Sequence, residues 1–393
     1  MLVLPGRRSA SEASNRPDGC ETGYEVIHGI PGGHVRELSE TEISDLIVGA
    51  AILGCGGGGP LADGLADLRR VHEAGLAVVL AAPDEVQPDA LVACPYAVGS
   101  MTTTDHGAED RDITDHPAAR VIRALAEHVG RPPGALVCGE LGATSMADAC
   151  VPAAVLGVPV IDADPVGRAV PEIVHSQFAL HGLPIAPMAL ASEDGEATVI
   201  ESVVDDAEAE VLVRATSDES GGAIWVADHA LPWRDLRDAS IHGTLTLSER
   251  VGAARREAVE LGNDPVEALA AAGGGRVAFR GTVTSLEWRE EEGFAVGEIE
   301  LESTEHDEHY RVWFKNENLI TWLGDEPDIT CPDLIAVVDA TTGIPQTNPL
   351  ASAGASVAVV GFPCAPQWKT EEGIALLGPR YFGSDVDFRP LVR

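Results

Sequence analysis

The most unusual feature of this 393-residue chain is Gly54-Cys55-Gly56-Gly57-Gly58-Gly59, with five glycines in six positions. So many glycines forfeit backbone entropy, and close approach of the backbone to a ligand is one reason to accept that loss. Successive N–H groups in such a loop, ahead of a helix that starts at Pro60, form an anion-binding nest. The structural alternative is a connector or a tight helix crossing. The loop is not a Walker loop, because no Lys-Ser/Thr follows, and a helix rather than a strand precedes it, unlike a dinucleotide fingerprint.

Four other segments carry chemistry-bearing side chains. Cys138-Gly139-Glu140-Leu141-Gly142-Ala143-Thr144-Ser145 leaves a predicted strand and enters a helix. It therefore lies at the carboxyl edge of a sheet, where open α/β folds bind ligands. There Glu140 is a candidate general acid/base or metal ligand, or else it caps the following helix. Asp162, Asp164, Arg168 and Glu172 form a compact charged cluster, read equally as an ion-pair network or a catalytic group, and His175 follows within one turn of Glu172. Asp105-His106 and Asp115-His116 suit a metal by residue type, yet their spacing matches no fixed motif, and Asp115 reads better as the N-cap of a helix at Pro117. Lys315-Asn316-Glu317-Asn318 offers a polar wall for a ring of alternating donors and acceptors, or a tight turn held by Asn side chains.

These segments need elements to position them. Ser39 and Glu42 form a capping-box pattern ahead of an apolar run over 43–53. Short apolar strands at 76–81, 90–98, 135–138 and 158–161 alternate with helical patterns at 61–74, 117–129 and 145–156. That rhythm indicates a buried, mostly parallel sheet. Residues 276–315 instead alternate apolar and polar with turns between, as an antiparallel meander does. The expected architecture is an α/β layer domain at 38–200. It is followed by a mixed segment at 201–393 that holds a β-barrel-like domain, with the site in the cleft between them. Residues 1–37 read as a disordered lead-in without a signal-peptide pattern.

Composition narrows the setting. The chain has 63 acidic and 26 basic residues, a formal net charge of -37, and Lys315 and Lys369 are its only lysines. A carboxylate-covered surface repels itself in dilute buffer; at about 1 M salt the Debye length falls to roughly 3 Å and screens that repulsion. Arg supplies planar, weakly hydrated pairing groups, whereas Lys is strongly hydrated. The charge and the scarcity of Lys together indicate a halophilic, cytoplasmic protein. No basic stripe exists to neutralise nucleic-acid phosphates, and no apolar run nears the roughly 20 residues that span a bilayer. The seven Cys contain no C-x-x-C, against both a disulfide framework and a thiolate zinc site.

GCGGGGP, GELGATS, DADPVGRAVPE, FKNENL, CPDLIAVVDATTGIP and GPRYFG occur in that order over residues 38–391. The chain thereby resembles the S-methyl-thiohydantoin desulfurase family. The resemblance implies an α/β three-layer domain with a β-barrel domain, and desulfurisation of thiohydantoin-like rings. Gly56, Gly57, Gly58, Gly59, Glu140, Gly142, Asp162, Asp164, Arg168 and Glu172 fall in the matching motifs. On this reading Glu140 or Asp164 activates water, or Cys55, its pKa depressed at a helix start, acts as the nucleophile. Arg168, Gly142, Asn316 and Asn318 join the glycines in holding the ring. A single divalent metal ion on Asp162, Asp164, Glu172 and His175 is the one cofactor suggested. The expected partners are a small-molecule substrate and further copies of the chain in a homo-oligomer. A non-catalytic accessory subunit of a hydantoinase-type system and a cyclic amidase without sulfur chemistry are the other readings.

Overall fold

A computed structural model describes residues 35–99, 112–303, 308–349 and 352–391. The first ten strands are β1 (Arg36–Glu37), β2 (Val79–Ala81), β3 (Leu91–Val98), β4 (Ala135–Leu136), β5 (Val160–Ile161), β6 (Ala163–Asp164), β7 (Met188–Ser192), β8 (Thr198–Ile200), β9 (Ile224–Pro232) and β10 (Ile241–His242). Eight of them form one sheet in the order β1-β2-β5-β4-β3-β9-β7-β8, and β6 pairs separately with β10. The centre, β2-β5-β4-β3, is parallel. β9 runs antiparallel to both β3 and β7, so β7 points the same way as the centre and the sheet is mostly parallel.

Alternation along the strands gives the sheet two buried faces. Ala93, Leu136, Val160, Ala189 and Ala227 point to one side, where they join α1 (Glu40–Leu53), α2 (Leu61–Glu73), α3 (Pro117–Val129) and α4 (Ala143–Leu156) in the largest core cluster. Val92, Cys94, Ala135, Val137 and Ile161 point to the other side, against Phe178 and Trp233. The helix Asp206–Ser220 covers the same side further along, through Ala209 and Val213. These are the three layers that the family resemblance implies. Ser39 and Glu42 close a full capping box on α1. The Pro117 helix differs from expectation in its cap: His116 accepts from the Ala118 N–H, while Asp115 ends a short 3-10 turn.

The remaining strands, β11 (Arg276–Glu291), β12 (Phe294–Ser303), β13 (His309–Lys315), β14 (Glu317–Leu323), β15 (Glu326–Thr330), β16 (Leu334–Asp339) and β17 (Ser356–Phe362), form a wholly antiparallel sheet in the order β15-β14-β13-β12-β11-β17-β16. The sheet curls into a half-barrel around Phe279, Ile299, Tyr310, Val312, Phe314, Val337 and Val359. Its β16 and β17 residues Ala336, Val338, Ala358 and Val360 also enter the core cluster of α1 to α4, which joins the two parts.

The greater part of the expected lead-in, 1–34, lies outside the described residues, and Arg36–Glu37 form an edge strand. No helix among the described residues is long and apolar enough to cross a membrane.

Candidate active site

A cavity of about 380 Å³ opens where the carboxyl ends of β3 and β4 meet the half-barrel. Tyr96 lies near the end of β3, Gly139 and Glu140 follow β4, Gly58, Gly59, Thr144 and Ser145 come from the starts of α2 and α4, and Asn316 and Glu317 enter from the β13–β14 turn. This is the crevice in which open α/β sheets bind ligands, and its size suits one small molecule.

Two carboxyl groups meet there from different sheets. Glu140 Oε1 accepts from the Ser145 hydroxyl at 2.8 Å, and Oε2 accepts from the Val170 N–H at 2.9 Å. Glu140 therefore does not cap α4, which starts at Gly142 without a side-chain cap. Burial pushes its carboxyl up to about 7, against the two hydrogen bonds that favour the charged form. Glu317 is 3% exposed, and its Oε2 has no partner among the described residues. Burial first, and then the charge of Glu140, hold its proton well above the usual carboxylate range. The two groups thus form a pair in which Glu140 is the easier to ionise. Gly57 admits Glu317: a Cβ at Gly57 would collide with the Glu317 carboxyl.

The cavity also holds groups on which the sequence reading had not settled. Tyr96 donates through its hydroxyl to Asp228 Oδ2 at 2.7 Å, and Asp228 Oδ1 bonds His229 Nδ1 at 2.7 Å. All three line the cavity. Asp148, also in the lining, accepts from Trp225 Nε1 at 2.8 Å, and burial pushes its carboxyl up to about 8. His116 stands edge-on to Trp225, and burial lowers it to about 3, so it is neutral at pH 7. The available signal was an Asp-His pair inside an otherwise apolar strand, IWVADHALP.

Several expected site residues lie elsewhere. Within the glycine loop only Gly58 and Gly59 line the cavity. The loop carbonyls of Cys55, Gly56 and Gly58 accept from Asn318, Asn348 and Thr144 N–H groups at 2.7, 2.8 and 2.9 Å. Gly58 and Gly142 touch backbone to backbone, where a side chain on either would clash. The run of glycines therefore serves close packing of the chain on itself, the tight-crossing alternative. Cys55 is fully buried, donates to the Leu53 carbonyl and accepts from the Ile335 N–H; burial raises its pKa, the opposite of the depressed thiol expected at a helix start. Arg168 is fully buried and donates to the carbonyls of Ala169, Asn318, Pro332 and Asp333, which ties the segment after β6 to the half-barrel rather than to a ligand. Asn318 is buried between Ile335 and Asn348. Asn316, in left-handed conformation, lines the cavity while its side chain accepts from the Ala295 N–H.

The four side chains expected to share a metal ion do not converge. Asp162 accepts from the N–H groups of Leu245 and Thr246 at the start of the helix Thr244–Leu261. Asp164 is fully buried outside the cavity lining and holds a turn through the N–H groups of Val166 and Gly167. Glu172 does line the cavity, bound to Lys315 Nζ at 2.6 Å and the Tyr381 hydroxyl at 2.8 Å. Burial opposes its ionisation, yet these partners hold its carboxyl below the usual range. His175 also lines the cavity, against Tyr381 and Phe382, with both ring nitrogens unpartnered among the described residues. No group of three or more His, Cys, Asp or Glu among the described residues is arranged to hold a metal ion. Asp105 and His106 lie outside the described residues.

Two family models match the chain: the S-Me-THD-like N-terminal domain over residues 41–202 and the S-Me-THD-like C-terminal domain over residues 204–391. No curated protein matches it. Among solved structures, an X-ray crystal structure of a protein from Chromobacterium violaceum is similar at a TM-score of 0.73 and 23% identity, covering 91% of this chain and 100% of that one. That likeness shows a shared fold.

Proposed function

The chain belongs to the S-Me-THD-like family, and from that premise we propose that it hydrolytically removes sulfur from a thiohydantoin or closely related five-membered cyclic amide. The supporting observation is the Glu140–Glu317 pair facing one small cavity. One member ionises near neutral pH, and the other keeps its proton. Paired groups whose environments set their proton affinities apart are how one site runs base and acid chemistry together.

Glu140, oriented by Ser145 and Val170, takes a proton from water as the oxygen bonds to the ring carbon that carries sulfur, and passes that proton to the adjoining ring nitrogen. The adduct collapses as the C–S bond breaks: Glu317 protonates the departing sulfur and takes back the proton that the new hydroxyl loses as it becomes a carbonyl. Water's two protons end on sulfur and on nitrogen, so both carboxyls return to their starting state. Asp148 and His116, neutral near pH 7, add no charge, which suits an uncharged ring. The proposal places this reaction on a small molecule in the cytoplasm, carried out by a homo-oligomer.

The test is thiol release from S-methyl-thiohydantoin, read with a thiol-reactive chromophore. Glu140→Gln and Glu317→Gln should each slow release by about 10²–10⁴. In the parent protein the rate should climb as pH rises through about 7, where Glu140 ionises. Undiminished turnover in Glu140→Gln would sink the mechanism. Ring binding without any thiol release by the parent would instead point to an accessory subunit.

A further inference from the structure

His229 lies within β9, where two residues oppose one on β3: the register passes from Val92↔Leu231 to Cys94↔Asp228. Bulges of this kind re-aim a side chain, often beside an active site. The backbone of His229 has φ 44, a conformation that non-glycine residues seldom adopt. The ring is 4% exposed and stands 4.8 Å from Phe178.

The hydrogen bonds fix what this ring offers. Tyr96 donates to one oxygen of Asp228, and the other oxygen accepts from His229 Nδ1. In the neutral imidazole, an acceptor facing Nδ1 places the proton there and leaves Nε2 as an acceptor. Nε2 is buried without a partner among the described residues, in a side chain that lines the cavity. A buried acceptor without a donor is costly, and a ligand N–H would satisfy it.

We infer that the Tyr96–Asp228–His229 chain reads the substrate: Nε2 accepts a hydrogen bond from a ring N–H, so the site takes five-membered cyclic amides with a free N–H and rejects their N-alkylated forms. This rests on the reading that a hydantoin-type ring occupies the cavity. His229 is thus a specificity determinant, distinct from the carboxyl pair that moves protons to and from the reacting carbon.

Hydantoin and its two mono-N-methyl derivatives are the probes, because they carry no sulfur and their binding can be measured by calorimetry without turnover. The parent should bind hydantoin about 10–100-fold more tightly than one of the two methyl isomers, the range set by one buried hydrogen bond lost. In Asp228→Asn, the carboxamide can still accept from Tyr96 but must donate to Nδ1. The ring proton then moves to Nε2, as happens when a buried Asp that orients a histidine is replaced by Asn. The preference for N–H should vanish or invert. His229→Asn, which tolerates the left-handed backbone, should abolish the preference and keep the fold by circular dichroism. Equal binding of all three rings by the parent overturns the inference, as does an unchanged preference in Asp228→Asn. So does a His229→Asn protein that loses only kcat. If the parent releases thiol yet ignores N-methylation, this inference alone falls; if it neither binds the rings nor releases thiol, the proposed function falls with it.

Discussion

Replacing Asp148 with Asn should make the protein more stable, and increasingly so as the pH rises. Asp148 is 5% exposed, with Trp225 Nε1 bonded to Oδ1, and burial pushes its carboxyl from 3.8 to about 8. Across that window the folded state holds a proton that the unfolded chain has released. The sign follows from linkage: stability is fully present below about pH 4 and falls as the pH rises through about 8. The slope is about 1.4 kcal/mol per pH unit. Asn has no proton to lose, and its oxygen still accepts from Trp225. Its advantage over the parent should therefore widen by on the order of 4 kcal/mol between about pH 5 and about pH 8. Urea denaturation of both proteins at fixed molar KCl, repeated across that range, measures the difference directly. A difference that stays level with pH would mean that Asp148 is ionised in the fold, and the account of a neutral cavity lining would be wrong.

Two further outcomes follow from surface charge and from burial. If the net charge of -37 is an adaptation to salt, the thermal midpoint should climb steeply as KCl rises from dilute buffer to about 1 M; a flat or falling midpoint refutes this. Cys55, fully buried and hydrogen-bonded at both ends, should resist alkylation in the native protein at neutral pH, and Cys55→Ala should keep thiol release; modification as fast as in the unfolded chain would contradict the geometry.

The layers of the fold were legible because periodicity reports burial. The 117–129 helix lies where the pattern put it, and the capping box marked the start of α1. The side-chain roles were legible only where a segment's own elements decide them. Glu140 follows a strand and enters a helix, and that alone places it at the sheet edge. Arg168 looked like a ligand-holding group, but its partners are carbonyls up to 165 residues away. Cys55 looked reactive beside glycines, but the half-barrel covers it. The His229 bulge depends on how β9 registers against β3, more than 120 residues earlier in the chain, and one strand's sequence does not encode that register.

The β13–β14 turn gives the fold a property that neither half has alone. Glu317 reaches from the half-barrel into the space that Gly57 leaves open, so the two carboxyls of the pair belong to segments far apart in the chain. On the proposed mechanism the carboxyl pair is complete only with the half-barrel docked, so loosening that contact would cost activity without touching a residue of the parallel sheet. Substitutions in the half-barrel core should therefore read, in a genetic screen, as active-site losses.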